Sequence, residues 1–135
     1  MPMSIDYETF MQIIADSPDT PEGQEKCPVS RTLEVVRGKW KEQILFFLCK
    51  KGVCRFNEIH KAYPQISKTM LSSVLKQLEA DGLVVRRQYD EMPVRTEYSL
   101  TEAGEAFMPI FFEMFRWGMK YRPDPELDAA LSEEK

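Results

Sequence analysis

The sequence predicts a mainly α domain with one small β-hairpin, an α+β architecture. Three observations carry that expectation. Apolar residues recur at helical spacing in several stretches, two strand-like runs flank a polar proline-bearing tip, and Gly or Pro stands at most of the boundaries.

The first helix is expected over residues 4–15, where Tyr7, Phe10, Met11 and Ile14 fall at i, i+3, i+4 and i+7. Residues 17–23, rich in Pro, Asp, Thr and Gly, break it, so residues 1–25 read as a helical arm on a flexible linker. A short helix follows to Val36, with Ser30 or Thr32 as its cap, and Gly38 interrupts the pattern. Residues 39–50 give a second body helix, with Trp40, Ile44, Leu45, Phe47 and Leu48 as the buried side. Gly52, Val53 and Cys54 form a short extended piece. A third body helix over 55–63 buries Phe56, Ile59 and Ala62 and stops at Pro64, because the residue before a proline is biased away from helical geometry.

Ser67 is the expected N-cap of a fourth helix through Asp81, and Gly82 is its stop. Met70, Leu71, Val74, Leu75 and Leu78 line its inner side. Strands over 83–89 and 94–100 then enclose the tip Asp90-Glu91-Met92-Pro93. A last helix runs to about Tyr121. Two short helices and then a hairpin make a winged helix-turn-helix over residues 26–102, followed by a helix over 103–122 and an acidic, flexible tail over 123–135.

A chain of 135 residues fits one domain with a real core. Its longest apolar runs fall far short of the roughly 18–20 residues that span a bilayer, and no basic-then-apolar leader is visible at the N-terminus. Three cysteines without an export signal read as free thiols in a reducing compartment, so the expected location is cytoplasmic. The net charge of −4 is unevenly spread. Residues 1–25 carry −6 and residues 123–135 carry −4, which leaves +6 on residues 26–122. A basic middle permits attraction to phosphate, and an ordinary solvated surface explains the charge equally well.

The fourth helix is more specific. A helix that reads DNA buries one face and offers small polar or cationic side chains on the other. Its outer face carries Ser67, Lys68, Thr69, Ser72, Ser73, Lys76 and Gln77, with no acid between Ile66 and Gln77. Hydroxyls meet donors or acceptors, and Lys or Gln reaches bases or phosphates. A merely solvated helix usually carries Glu/Lys pairs instead. The hairpin adds Arg86, Arg87 and Arg95, whose planar forks suit phosphate, while Asp90 and Glu91 at the tip work against it. Lys39 and Lys41 read either as phosphate anchors or as plain exposed lysines.

These residues also form a recognisable series. Cys27-Pro28-Val29, Gly38-Lys39-Trp40, Ile44-Leu45 and Arg55-Phe56-Asn57-Glu58-Ile59 come first. Ile66-Ser67, Met70-Leu71, Leu75 and the run Leu78-Glu79-Ala80-Asp81-Gly82-Leu83-Val84 follow. Pro93-Val94-Arg95, Glu97-Tyr98-Ser99-Leu100-Thr101, Gly104 and Trp117-Gly118 complete it. In this order, over about residues 26–120, the chain resembles the HxlR family of winged helix-turn-helix regulators, related to the MarR group. The resemblance implies a dimeric transcription factor on near-palindromic operator DNA. Residues 67–77 would then be the recognition helix and residues 86–95 the wing. Arg37 departs from the family's usual glycine, and the N-terminal arm is longer than usual.

The last helix is apolar almost all round, through Phe107, Ile110, Phe111, Met114 and Phe115 among others, and so needs cover on more than one side. A second subunit is the simplest cover, with Phe10, Met11 and Ile14 of the first helix as a further layer; burial within one chain is the alternative. Cys27 stands near a helix start, with Lys26 and Arg31 close by, a setting that stabilises a thiolate. The resemblance implies oxidant or electrophile sensing at this place; a half-buried structural cysteine is the other reading. Cys49 and Cys54 are expected in the core.

No cofactor and no metal are expected, since His60 is the sole histidine and no Cys-x-x-Cys pair exists. Phosphate-binding glycine loops and Ser-His-Asp sets are missing too, so the chain is not read as an enzyme. Two rivals remain: a winged-helix module that grips a protein, and a regulator governed by a small-molecule effector of unknown kind.

Overall fold

The computed structural model describes residues 5–25 and 27–133, and the chain divides between Lys39 and Trp40 into two compact units. In the first unit, α1 spans Tyr7–Asp16, α2 Pro21–Glu25 and α3 Pro28–Val36. The expected start at Ser4 lies outside the described residues, and Ile5 and Asp6 are not helical. Asp6 is instead the N-cap, its Oδ1 accepting from the Thr9 N–H at 2.7 Å. Hydrogen bonds from Thr9 hold the Asp6 carboxyl below its ordinary value. The stability this cap contributes is therefore present above the ordinary carboxylate range and lost as pH falls through the lowered value.

Two further boundaries differ from the expected ones. The segment read as a linker contains α2, because Thr20 accepts from the Gly23 N–H at 3.1 Å and Pro21 opens the helix with its φ already set. Similarly, α3 begins at Pro28 with Cys27 as N-cap, ahead of Ser30 and Thr32. Thr32 donates back to the Pro28 carbonyl at 2.7 Å, so it is an interior residue rather than a cap. Arg37 needs no glycine: its φ of −70° and ψ of 138° are extended, and the positive φ of 123° falls on Gly38.

The second unit holds α4 (Lys41–Lys51), β1 (Cys54–Arg55), α5 (Phe56–Ala62), α6 (Lys68–Ala80), β2 (Val84–Tyr89), β3 (Arg95–Leu100), α7 (Glu102–Tyr121) and α8 (Pro125–Glu133). Helix α4 starts at Lys41, not Lys39, because Trp40 takes a left-handed φ of 79° that no helix continues. The hairpin expected from sequence becomes a three-stranded antiparallel sheet in the order β1-β3-β2, with Cys54 opposite Tyr98 and Arg55 opposite Glu97. Within the tail expected to be flexible, Pro125–Glu133 form α8.

Ile44, Leu45 and Leu48 of α4, Ile59 of α5, and Leu71, Leu75 and Leu78 of α6 are almost wholly buried. Each such side chain contributes roughly 1.5–3 kcal/mol when removed from water. Six residues expected inside are not fully buried, Trp40, Phe47 and Phe56 being half-buried. Met70 is 49% exposed, and Ala62 and Cys49 also face solvent. Cys54 is buried as expected.

One junction ties the helices to the sheet. Past the end of α6, Gly82 turns with φ 80°, the Leu83 N–H donates to the Leu78 carbonyl at 2.9 Å, and the Gly82 N–H donates to that of Glu79 at 3.0 Å. That is a Schellman closure, with buried Leu78 and Leu83 as its apolar pair. Thr101 then clasps the turn: its hydroxyl donates to the Gly82 carbonyl at 2.6 Å and its N–H to the Leu83 carbonyl at 3.0 Å. The same hydroxyl caps α7 by accepting from the Gly104 N–H at 3.1 Å. A Cβ at Gly104 would collide with the Leu83 carbonyl oxygen, so glycine is required here. Gly104→Ala should therefore cost about 1–3 kcal/mol in a urea unfolding series, as overpacking of a tight contact does. Substitution at Gly118, where a Cβ meets open space, is the control.

Candidate nucleic-acid interface

Helix α6 separates its two jobs by face. Leu71, Val74, Leu75 and Leu78 pack inward, and Lys68, Thr69, Ser72, Ser73, Lys76, Gln77 and Ala80 line one shallow outer surface. Ser67 starts the helix, its Oγ accepting from the Met70 N–H at 3.1 Å. The helix thus presents its positive end beside Lys68. Gln77 is oriented along this surface by donating from Nε2 to the Ser73 Oγ at 3.4 Å. Two cations, three hydroxyl groups and one amide make a face able to meet base edges and phosphates.

The wing lies beside it. Register sets which arginine points where, because residues directly opposite across an antiparallel ladder share a face. Arg86 lies opposite Tyr98 and Gln88 opposite Thr96 on one face, whereas Arg87 lies opposite Glu97 and Tyr89 opposite Arg95 on the other. The Arg86 face turns toward α6, where Ser72, Lys76, Glu79, Arg86 and Tyr98 line a common cleft. Glu79 and Tyr98 were not anticipated in this place. Glu79 stands three residues after Lys76 and so on the same side of α6, which helical periodicity alone indicates. Tyr98 depends on strand register, which the sequence does not print.

Arg95 is differently placed from the other two. Its guanidinium sits 4.2 Å over the Tyr89 ring and 3.2 Å from Glu91, with Nε 3.7 Å from Glu97. Arg86 donates to Gln88 Oε1 at 2.9 Å and stays exposed, as does Arg87. Lys41 is 7% exposed, while Lys39 is exposed and belongs to the first unit.

The residues expected at a subunit interface also separate. Phe107 and Phe111 turn inward, Phe111 meeting Phe46 of α4 edge-on at 5.0 Å and Phe107 at 5.5 Å. Ile110, Met114 and Phe115 are exposed on α7, together with Phe112, Trp117 and Tyr121. Pro109 lies inside this helix and has no N–H to offer the Glu105 carbonyl. In the first unit, Phe10, Met11 and Ile14 are exposed on α1.

Cys27 is half-buried at the N-cap of α3, and Arg31 donates its N–H to the Cys27 carbonyl at 3.0 Å. Lys26, expected beside it, lies outside the described residues. Burial pushes the Cys54 thiol above its ordinary value, the Glu58 carboxylate adds to this, and Lys51 opposes it. Among the described residues no cluster of His, Cys, Asp and Glu could hold a metal ion, and no helix is long and apolar enough to cross a membrane.

Two short helices joined by a turn, with the second backed by a hairpin and outwardly cationic, define a DNA-binding winged helix-turn-helix of the kind that regulates transcription. The chain belongs to the HxlR-like helix-turn-helix family, whose profile matches residues 35–126. It is 43% identical over 111 residues to the HTH-type transcriptional regulator YdeP of Bacillus subtilis, covering 82% of this chain and 86% of that protein. Among solved structures, the redox regulator HypR in its reduced form superposes with a TM-score of 0.65 at 43% identity, over 71% of this chain and 94% of HypR. The reduced transcriptional regulator YodB of B. subtilis gives 0.64 at 35% identity, over 70% of this chain and 93% of YodB.

The raised Cys54 thiol sets a pH expectation. In native protein its alkylation should begin only above the pH at which the thiols of the urea-unfolded chain already react. Because the folded value lies above the unfolded one, its contribution to stability is complete below the unfolded value and disappears as pH rises through the folded value. Mass-resolved alkylation across a pH series checks the first statement, and urea unfolding over the same series checks the second.

Proposed function

We propose that the protein is a cytoplasmic, sequence-specific repressor that binds operator DNA as a homodimer and answers to oxidants or electrophiles through Cys27. The observation that carries the DNA-reading assignment is the outer face of α6, where Lys68, Thr69, Ser72, Ser73, Lys76 and Gln77 share one surface without contributing to the core. Ser67 positions that face by capping the helix. Arg86 and Arg87 supply wing contacts. Repression follows from occupancy alone, since a bound dimer blocks polymerase without a separate activating surface.

Dimerisation is supported by the exposed side of α7. Ile110, Met114 and Phe115 are each more than two-fifths exposed, which is poor use of large apolar side chains in an isolated chain. Phe10, Met11 and Ile14 of α1 offer a second apolar surface of the same kind. A two-fold partner would place the recognition helices about 34 Å apart, one turn of the duplex. Sedimentation at micromolar concentration should give about twice the chain mass of 15.8 kDa, and Phe115→Asp should return the monomer. A wild-type monomer would end the dimer reading.

The redox assignment draws on the relatives. HypR is a redox regulator solved in reduced and oxidised forms, and YodB is solved both reduced and after diamide treatment. Cys27 is half-buried at the N-cap of α3, the place where the family resemblance implies a sensing cysteine. The direct experiment titrates the protein against the DNA upstream of its own gene, at two salt concentrations, with and without diamide. Specific binding should weaken steeply with salt, and Lys76→Ala or Arg86→Ala should flatten the log–log salt slope by about 0.9 for each phosphate no longer neutralised. Diamide should release the wild type, and Cys27→Ser should bind equally well and ignore diamide. If Cys27→Ser still responds, Cys49 or Cys54 carries the signal and the Cys27 assignment fails.

A further inference from the structure

The three wing arginines would be expected to act alike, as cations facing phosphate. The structure separates one of them. Arg95 is opposite Tyr89 in the β2–β3 register, with its guanidinium stacked 4.2 Å above that ring. Its Nη2 lies 3.2 Å from the Glu91 carboxylate, four residues back at the wing tip, and its Nε lies 3.7 Å from Glu97 on the same strand. The Nε is buried and makes no hydrogen bond. The Arg95 side chain is 28% exposed, against 50% for Glu91. Cation, ring and two carboxylates therefore form one cluster that joins the tip, β2 and β3. Asp90 is exposed beside this cluster and takes no part in it.

We infer that Arg95 is a positioning residue of the wing, held by Tyr89, Glu91 and Glu97 to fix the tip over residues 90–93, and not a phosphate ligand. The inference rests on the DNA-binding reading above and deepens it, because it gives the acid Glu91 a constructive part in binding DNA. An arginine already facing two carboxylates brings no net positive charge to the duplex. Its planar fork, stacked on an aromatic face, is nevertheless well suited to hold two strands and a turn in one geometry.

This assignment predicts opposite signs for two neighbouring charge removals. If the tip acids merely repel DNA, Asp90→Asn and Glu91→Gln should both strengthen binding by the same small factor. If Glu91 holds Arg95, Asp90→Asn should still strengthen binding slightly and Glu91→Gln should weaken it below the wild type, by about threefold or more. Removing the ring gives a second test that leaves charge untouched. Tyr89→Leu should weaken binding with an unchanged salt slope, and Tyr89→Phe, which keeps the ring under the guanidinium, should restore it.

The experiment uses the full chain and a fluorescent duplex of the DNA upstream of its own gene, with thermal melting to show that each variant is folded. Weaker binding by Glu91→Gln than by the wild type, together with rescue by Tyr89→Phe, supports the assignment. Equal strengthening by both charge removals overturns it, as does wild-type affinity in Tyr89→Leu. A slope flattened by about 0.9 per subunit in Arg95→Gln, the signature of a phosphate no longer neutralised, also overturns it. Failure of the wild type to bind any duplex overturns the functional reading and this inference with it. Wild-type binding with indistinguishable variants overturns this inference alone.

Discussion

The contact between Gly104 and the Leu83 carbonyl is the constraint on which the rest of the second unit depends. Helix α6 ends, β2 begins and α7 starts within one small volume, and only a residue without a Cβ lets the α7 backbone approach the turn so closely. Thr101 satisfies the exposed ends of all three elements with one hydroxyl and one N–H. The junction of α6, β2 and α7 is thereby set by the hydrogen bonds of this one residue rather than by the side chains on the outer face of α6. A reader of DNA needs this, because displacement of one binding surface relative to another spoils both.

Much of this is legible in the sequence. Ser67 at the start of α6 and Gly82 past its end are local signals, each with one mechanism, and both act as expected. The inward set Leu71, Val74, Leu75 and Leu78 follows from a period of 3.6. Met70 does not, because it lies at the margin of that face, where periodicity alone does not decide burial. Helix starts at Pro21 and Pro28 are hidden for a related reason. Proline reads as a breaker, although at the first helical position its fixed φ and missing N–H cost nothing.

The wing is the least legible part of the site. Knowing that three arginines flank a turn does not say which face each one occupies, since a single-residue change of register would exchange them all. Tyr98, buried and opposite Arg86, and Glu79, in the cleft with Lys76, become part of the site only through tertiary placement. Likewise, the apolar girdle of α7 is clear from sequence, but its division is not. Phe107 and Phe111 serve the chain's own core beside Phe46, and Ile110, Met114 and Phe115 are left outside. A pattern that is apolar on every side states how much cover a helix needs, not which neighbour supplies each part of it.

The two-faced character of α6 has an evolutionary consequence. None of Lys68, Thr69, Ser73, Lys76 and Gln77 is buried, so exchanging any of them leaves the apolar layer beneath intact. Changes at such positions usually alter stability by less than about 0.5 kcal/mol. A duplicated copy of this gene could therefore vary this face one outer residue at a time, without passing through an unfolded ancestor. The inner face of α6 carries the fold, and the outer face can vary without touching it.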